Sequence, residues 1–409
     1  MIPILYNYWQ AKRRLRFSRE KLDAWQKKHL ENILHFARTH SPFYARMEGK
    51  VISKKEMMAD FSSFNTKGIE KDEAYQLALK GEQTRDFQSQ MGEITIGLSS
   101  GTSGNRGLFL VSKKERHAWC GNILARVLPK PLWKKQKIAL FLRANSALYE
   151  TVQSKRLNFA YFDLLEPIES LRKKVARFAP DVLVAPPSML LLLKESCKPE
   201  RIISVAETLF SKDQEELETA FGQKIYQIYQ CTEGFLGFSC SYGTLHLNED
   251  LLIIEKEYLD EKRFIPIITD LFRTTQPIIR YRLDDVLVEK KEACPCGCTF
   301  LGLERIEGRC DDVLYVKSLK GGQKPLFPDF ISRQIIAASP EIEDYQVVQT
   351  QIDRWEVYLK PQFAASVAAA LNELFKQLEC TPPKLVFVDS PFPREAGAKL
   401  RRIRRTYAV

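Results

Sequence analysis

The sequence predicts an α/β protein: a large N-terminal α/β domain of helix-covered sheets, 1–309, followed by a small C-terminal α+β domain, 310–409. Three observations lead there. The chain has 409 residues, more than one ordinary core accommodates. From about residue 137, short apolar runs alternate with amphipathic segments, the pattern of a largely parallel sheet covered by helices. After "GRCDDVLYV" a separate rhythm begins, long enough for an independent unit of about 100 residues.

Residues 5–48 carry apolar positions at helical spacing with Lys and Arg between them, and read as helix up to "SPFY". Residues 69–80 read as another. "ITIGL" and "GLFLVS" flank a loop of Ser, Thr and Gly and predict a hairpin, with a helix following at 113–128. "KIALFL", "LNFAYFDL", "DVLVAPP", "RIISVAETL" and "KIYQIYQC" then read as strands. "IESLRKKVARFAP", "SMLLLLKES" and "KDQEELETAFG" read as the helices between them. Residues 244–292 are strand-rich. In the last segment, "PDFISRQIIAAS" and "SVAAALNELFKQL" read as helices, and "DYQVVQTQI", "RWEVYLKP" and "KLVFVDS" as strands. Ligands of such sheets bind past the carboxyl ends of the strands, where "ETL" and "QCTEG" fall.

Composition narrows the function classes. Lys and Arg number 62 against 51 Asp and Glu, a formal charge of +11, which suits anionic partners: nucleotides, coenzymes, acidic carrier proteins, RNA or anionic lipid. A merely soluble basic protein fits equally. The aromatics do not interleave with basic residues as in an RNA module, so no nucleic-acid partner is expected. No run approaches the roughly 18 apolar residues of a membrane span. The start, "MIPILYNYWQAKRRLRFSRE", has its apolar part before its charges, the reverse of a secretory signal. The expectation is a cytoplasmic protein without a transmembrane segment. The first 17 residues fit a helix packed on the protein, the preferred reading, or a basic amphipathic helix touching a membrane surface. Nine cysteines, three of them in "CPCGC", point to metal rather than disulfides in that setting.

The loop of the hairpin, Ser99, Ser100, Gly101, Thr102, Ser103 and Gly104, has the chemistry of a phosphate cradle: glycines allow close approach, and backbone N–H groups and hydroxyls face the oxygens. Arg106 could add charge. A plain hairpin loop is the alternative, since the Walker spacing is absent. "YQCTEGFLG" puts Tyr229, Thr232 and Glu233 at a strand end, an aromatic for a purine and oxygens for phosphate and Mg²⁺. "RYRLDDV" offers acids for ribose hydroxyls. "GRCDDVL" sets Arg309 beside acids at the domain boundary. "REAGAKLRRIRR" places Lys399 in a Gly-containing loop, where it could reach phosphate or an oxyanion.

The order SSGTSG, YxCTEG, RYRxxDV, GRxDD and a C-terminal GxK resembles the adenylate-forming superfamily of acyl-CoA synthetases, over about residues 95–400. Within it the chain looks like the branch of phenylacetate–CoA ligase and its capsule-biosynthesis, CapK-like relatives, which includes an enzyme that adenylylates a deazaflavin coenzyme. The resemblance implies that Ser99 to Gly104 hold the ATP phosphates. It implies that Tyr229 stacks on adenine, Thr232 touches phosphate and Glu233 binds Mg²⁺. Asp285 and Arg309 would contact the ribose, with Asp284 standing where the family usually has glycine. Asp311 would be the hinge about which the small domain moves, and Lys399 the lysine that assists adenylation. Ala206, Glu207 and Thr208 in "VAETL" match a short segment near the nucleotide.

Three departures stand out: "GNRG" replaces a proline–lysine pair, "RYRLDDV" lacks a threonine–glycine, and Ala398 separates Gly397 from Lys399. "FLRANSALYETV" occupies the branch's acyl-pocket region and is polar. Arg143, Asn145, Ser146 and Tyr149 could bind a polar acid, or form a capped turn with one structural arginine. Cys240 and His246 with Cys294 and Cys296 make a four-ligand set of the kind Zn²⁺ prefers in a structural site, and relatives in this branch carry a similar set. Cys298 stands where relatives often have arginine, as a spare thiol or alternative ligand. The implied activity is ATP-dependent adenylation of a carboxylic acid, then transfer of the acyl group to CoA or carrier-protein phosphopantetheine. The alternative is an adenylyltransferase acting on a non-thiol acceptor such as a deazaflavin.

Overall fold

In a computed structural model of the chain, the described residues are 2–47, 49–87, 89–99, 106–142, 144–309, 312–339, 341–342, 344–389 and 401–407. They fall into two units, Met1–Leu283 with Val288–Arg305, and Asp284–Leu287 with Ile306–Val409.

The chain begins not with one helix over 5–48 but with three, Ile2–Arg14, Arg19–His40 and Pro42–Arg46. The breaks come from serines. Ser18 and Ser41 leave helical geometry, and their hydroxyls accept from the N–H groups of Lys21 and Tyr44, so each caps a new helix. Strands β1 Gln90–Met91, β2 Ile94–Leu98 and β3 Leu108–Ser112 form a small antiparallel sheet, the expected hairpin included.

The main sheet contains β4 Gln136–Leu142, β5 Leu157–Asp163, β6 Val182–Ala185, β7 Arg201–Ser204 and β8 Ile225–Cys231. It continues through β9 Gly234–Ser239, β10 Leu245–Leu247, β11 Leu252–Tyr258, β12 Arg263–Asp270, β13 Tyr281–Arg282, β14 Asp285–Glu289 and β15 Gly302–Arg309. Their order is β11-β12-β14-β15-β10-β9-β8-β7-β6-β4-β5, with β13 beside β12. From β5 to β8 the neighbours are parallel; β8 and β9 are antiparallel.

Alternation along β4 shows why this sheet is buried twice. Ile138 and Leu140 join Tyr8, Ala11, Ile123 and Leu124 in a core formed with the helices Ile2–Arg14 and Lys113–Val127. Ala139 and Phe141 face the other way, onto Leu171, Val175, Leu190 and Leu217 of the helices that connect the parallel strands. The first two helices named cross closely at Gly121. A Cβ there would stand 2.6 Å from the Ile4 carbonyl oxygen and 2.8 Å from the Tyr8 nitrogen. Beneath the crossing, Asp250 receives Arg14 Nε at 2.8 Å and an Arg126 nitrogen at 2.6 Å, all three buried.

The second unit has a ribbon of β16 Leu314–Lys317 and β17 Gln323–Leu326. It also has a four-stranded sheet of β18 Gln346–Gln351, β19 Arg354–Tyr358, β20 Lys384–Val388 and β21 Ile403–Arg405, ordered β20-β19-β18-β21. Helices Pro328–Ala338 and Ala364–Gln377 pack on it around the fully buried Trp355. β21 is an addition to the sequence expectation. The basic "AKLRRIRR" does not read as a strand, but Ile403 is buried and pairs in parallel with Val347.

Candidate functional site

The loop between β2 and β3 is closed at its base. Ser99 N donates to the Gly107 carbonyl at 2.8 Å, and Gly107 N donates to Ser99 Oγ at 2.7 Å. Arg106 does not hang free for phosphate: its guanidinium donates to the Ser99 carbonyl and to Glu82 at 2.5 Å. The cation that meets the loop's first hydroxyl is Lys54, whose Nζ lies 3.2 Å from Ser99 Oγ. Nothing local marks Lys54, since it comes from a helix 45 residues earlier. Ser100, Gly101, Thr102, Ser103 and Gly104 lie outside the described residues, as do Arg143, Asp311 and Lys399.

Tyr229 lies inside β8, not past it, and is buried. The register against β9 slips between Tyr229 and Gln230, a bulge of the sort that re-aims side chains beside sites. Two residues on, the chain turns into β9 and presents Thr232 and Glu233. Glu233 accepts from the Tyr281 hydroxyl at 3.0 Å and from Thr232 Oγ1 at 2.8 Å. Behind the turn, Arg273 donates to the Thr232 carbonyl at 2.7 Å and to Gln276 at 2.8 Å. Asp270 Oδ2 lies 3.6 Å from where a Gly234 Cβ would be. Burial pushes the Asp270 carboxyl up to about 6, against the opposing pull of its backbone bonds and Arg273. Glu115 anchors the next loop through the Thr274 and Thr275 amides and the Thr275 hydroxyl. Burial acts to raise its carboxyl, but those bonds outweigh it and hold the group below the usual carboxylate range. Arg273 reaches the Thr232 and Leu110 carbonyls and Glu115 reaches the Thr274 amide across 41, 163 and 159 residues, contacts that leave no local pattern.

Glu207 follows Ala206, which sits at φ 68°, a left-handed conformation costly for alanine. The Ser188 N–H donates to Glu207 Oε2 at 3.3 Å. Asn145 donates to Glu150 at 2.8 Å, and Ser146 caps the short helix Ala147–Glu150, which gives these two residues the geometry of a capped turn. Tyr149 is differently placed. Its ring meets Trp119 edge-on at 5.7 Å, and Trp119 Nε1 donates to Gln230 at 3.2 Å, next to Tyr229. Burial pushes the Tyr149 phenol up to about 12.

In the second unit, Asp285 opens β14 and Arg309 closes β15. Arg309 pairs with Asp284 at 2.8 Å. Gly308, at φ 134°, allows the Arg309 N–H to donate to Asp312 at 2.9 Å, and Arg401 binds the same carboxylate. Asp312, passed over in the sequence, thus ties the segment before it to β21's approach.

The sulfur and nitrogen donors of Cys240, His246, Cys294 and Cys296 all lie within 4.8 Å of one another. Cys240 and Cys294 sulfurs are 3.6 Å apart, and Cys296 Sγ is 3.4 Å from His246 Nε2. Tetrahedral bonds of zinc length require about 3.8 Å and about 3.6 Å for those edges. His246 Nδ1 binds the Phe300 carbonyl at 2.9 Å, fixing the ring with Nε2 toward the cysteines. Gly297, at φ 73°, makes the tight turn of "CPCGC". Cys298 lies outside the set of four; its N–H donates to Cys296 Sγ at 3.4 Å. Burial pushes the Cys296 thiol up to about 12, with the Cys294 and Cys240 sulfurs adding to it, a situation a bound cation would reverse.

No protein-family model matches the chain. It is 26% identical over 259 residues to Protein CapK of Staphylococcus aureus, covering 60% of this chain and 54% of that one. It is 24% identical over 194 residues to phenylacetate-coenzyme A ligase of Thermus thermophilus, 42% of each. The chain thus spans about half the length of the curated relatives it matches. Among solved structures, 2-hydroxyisobutyryl-CoA ligase in its postadenylation state superposes with a TM-score of 0.65 at 19% identity, over 97% of this chain and 91% of that one. ATP-bound MatB from Rhodopseudomonas palustris gives 0.54 at 14% identity, over 76% and 67%. In sequence the chain is thus similar to these two curated proteins, and in fold to these ligases.

Proposed function

We propose that the protein is an ATP-dependent ligase that adenylates a carboxylic acid and passes the acyl group to a thiol, that of CoA or of carrier-protein phosphopantetheine. The observation that carries this reading is the β8–β9 turn after Tyr229, where Tyr281 holds the Glu233 carboxylate and Arg273 the Thr232 carbonyl. Tyr229 gives a ring for adenine, Thr232 a hydroxyl for phosphate, and Glu233, with its oxygens converged by two hydroxyls, a seat for Mg²⁺. Bound with ATP, Mg²⁺ neutralises phosphate charge.

Ser99 to Gly104 wrap the phosphates, Glu207 lies near the nucleotide, Asp285 and Arg309 take the ribose, and Lys399 steadies the charge that develops during adenylation. The acid's carboxylate oxygen attacks the α-phosphorus as the bond to pyrophosphate breaks. The acceptor thiolate then attacks the acyl carbon, and AMP leaves. Between the steps the small domain turns about Asp311. Arg143, Asn145 and Tyr149 border the acid, with Trp119 and Gln230 linking Tyr149 to the Tyr229 strand.

The Cys240–His246–Cys294–Cys296 cluster fits structural zinc, its four donors leaving no open position for catalysis. A cytoplasmic setting suits such reduced thiols.

The test is ATP–pyrophosphate exchange against aryl, fatty and hydroxy acids, with Lys399→Ala as control. Exchange that depends on one acid class and collapses in the variant is expected. ATP binding without exchange for any acid overturns acid adenylation and leaves AMP transfer to a non-thiol acceptor. Exchange without CoA- or carrier-dependent thioester overturns the second step alone.

A further inference from the structure

The helix Ile2–Arg14 uses only one face to pack. Tyr8 and Ala11 enter the core, Arg14 reaches buried Asp250, and Gly121 brings the neighbouring helix against its backbone. The opposite face carries Ile2, Leu5, Tyr6 and Trp9, which are 82%, 39%, 63% and 59% exposed. Their spacing places them in one stripe, about 10 Å long at the helical rise. A face turned to water would carry polar side chains at these positions.

Charge continues the stripe. The helix holds no acid in its first turn and ends in Lys12, Arg13 and Arg14, with Arg16 next. Arg14 and Arg19 have acidic partners in Asp250, Asp23 and Glu249. Lys12, Arg13 and Arg16 are exposed, and among the described residues no ion pair engages them. At the same end, Arg201 lies close enough to act on Lys12 and donates to the Val127 carbonyl at 3.3 Å, where the neighbouring helix ends. The loop that follows exposes Trp133, 58% accessible, beside exposed Lys134 and Lys135. Leu132 anchors it in the same core as Tyr8, and Arg156 holds the Trp133 carbonyl at 2.6 Å.

Exposed Trp, Tyr and aliphatic side chains rimmed by unpaired cations match the boundary of a bilayer. There amphipathic rings sit among headgroups and Lys and Arg meet lipid phosphate. A second copy is a poorer occupant, since an isologous contact would set Lys12, Arg13 and Arg16 against their own kind. We propose that this face of the first helix docks the protein on the surface of a membrane rich in anionic lipid. The helix stays packed on its neighbour and lies along the surface. Among the described residues no helix is long and apolar enough to cross a membrane.

The experiment is co-sedimentation of the full chain with vesicles of phosphatidylcholine alone and of an equimolar phosphatidylcholine–phosphatidylglycerol mixture. Binding to the mixture only is expected, abolished near 1 M salt, where screening reaches about 3 Å. Trp9→Ala weakens it about tenfold, and the joint reversal Lys12→Glu, Arg13→Glu, Arg16→Glu about a hundredfold. All four side chains are exposed, so melting temperatures should match the parent, and the blue shift of tryptophan emission on binding should be smaller in Trp9→Ala than in the parent. No binding to the mixed vesicles overturns the proposal. So does binding that both variants retain, and so does a concentration-dependent dimer that Tyr6→Glu dissociates, which would give the face to a second copy.

Discussion

The Tyr281 hydroxyl donates to Glu233 across 48 residues of sequence, at 3.0 Å, and holds one carboxylate oxygen while Thr232 holds the other. Tyr281→Phe removes one hydrogen bond and no volume. The expected loss is about 1 kcal/mol, or about fivefold in ATP–pyrophosphate exchange, with a raised requirement for Mg²⁺. Exchange at the parent rate and the parent Mg²⁺ dependence would mean that Glu233 is positioned without Tyr281.

Arg273 ties three segments together: the Thr232 carbonyl, the Leu110 carbonyl of β3, and Gln276. Arg273→Met leaves two buried carbonyls without their donor. Denaturant unfolding should show a loss of about 2–4 kcal/mol, with exchange activity falling further than the stability alone explains. A variant as stable as the parent would remove Arg273 from this role.

Asp270 gives a pH signature. A free Asp ionises near 3.9, whereas the folded group does so near 6 because burial favours the neutral form. The folded state therefore binds this proton more tightly than the unfolded chain. Its contribution to stability is complete below about 4 and is lost as pH rises through about 6. Asp270→Asn keeps an acceptor for the Phe272 and Arg273 N–H groups, which Oδ1 now receives at 2.9 and 3.0 Å. Unfolding from pH 4 to 7 should show the parent losing ground against the variant over that window. A constant difference would place the ionisation elsewhere.

Purified protein should contain one zinc per chain by elemental analysis. Cys294→Ser should lower that content severalfold and reduce the melting temperature by roughly 5 °C or more, an effect that a chelator reproduces in the parent alone. Metal-free parent protein with an unchanged melting temperature would leave the four donors as plain thiols and an imidazole.

At the helix crossing, Gly121→Ala would drive a methyl group into the Ile4 carbonyl and the Tyr8 nitrogen, backbone atoms that cannot rotate aside. Calorimetry should find a destabilisation of about 1–3 kcal/mol. Unaltered stability would mean that the first helix is more loosely held than the crossing implies.

The parallel core was legible because each strand and helix carries its own periodicity: Ile138 and Leu140 one way, Ala139 and Phe141 the other. The hairpin was legible for the same local reason. The N-terminal helices were merged because their apolar spacing runs on through Ser18 and Ser41, whose capping depends on geometry. At the candidate site, the residue types of the "YQCTEG" turn and of the cysteine–histidine set were readable as chemistry. Their supports were not. Lys54 meets Ser99 from 45 residues away and Arg273 meets Leu110 from 163 away, and contacts of that span leave no pattern in neighbouring residues. Arg106 shows the converse: a cation adjacent in sequence to a phosphate-type loop, yet engaged by Glu82 and the Ser99 carbonyl.

Thr299, directly after the cysteine loop, donates its hydroxyl to the Phe17 carbonyl at 3.0 Å, and Arg19 reaches Glu249, which also accepts the Leu301 N–H at 2.6 Å. The beginning of the chain and the four-donor cluster are therefore neighbours in one cooperative block, although nearly 300 residues separate them. Amides of the two regions should exchange with deuterium in a single sub-global opening.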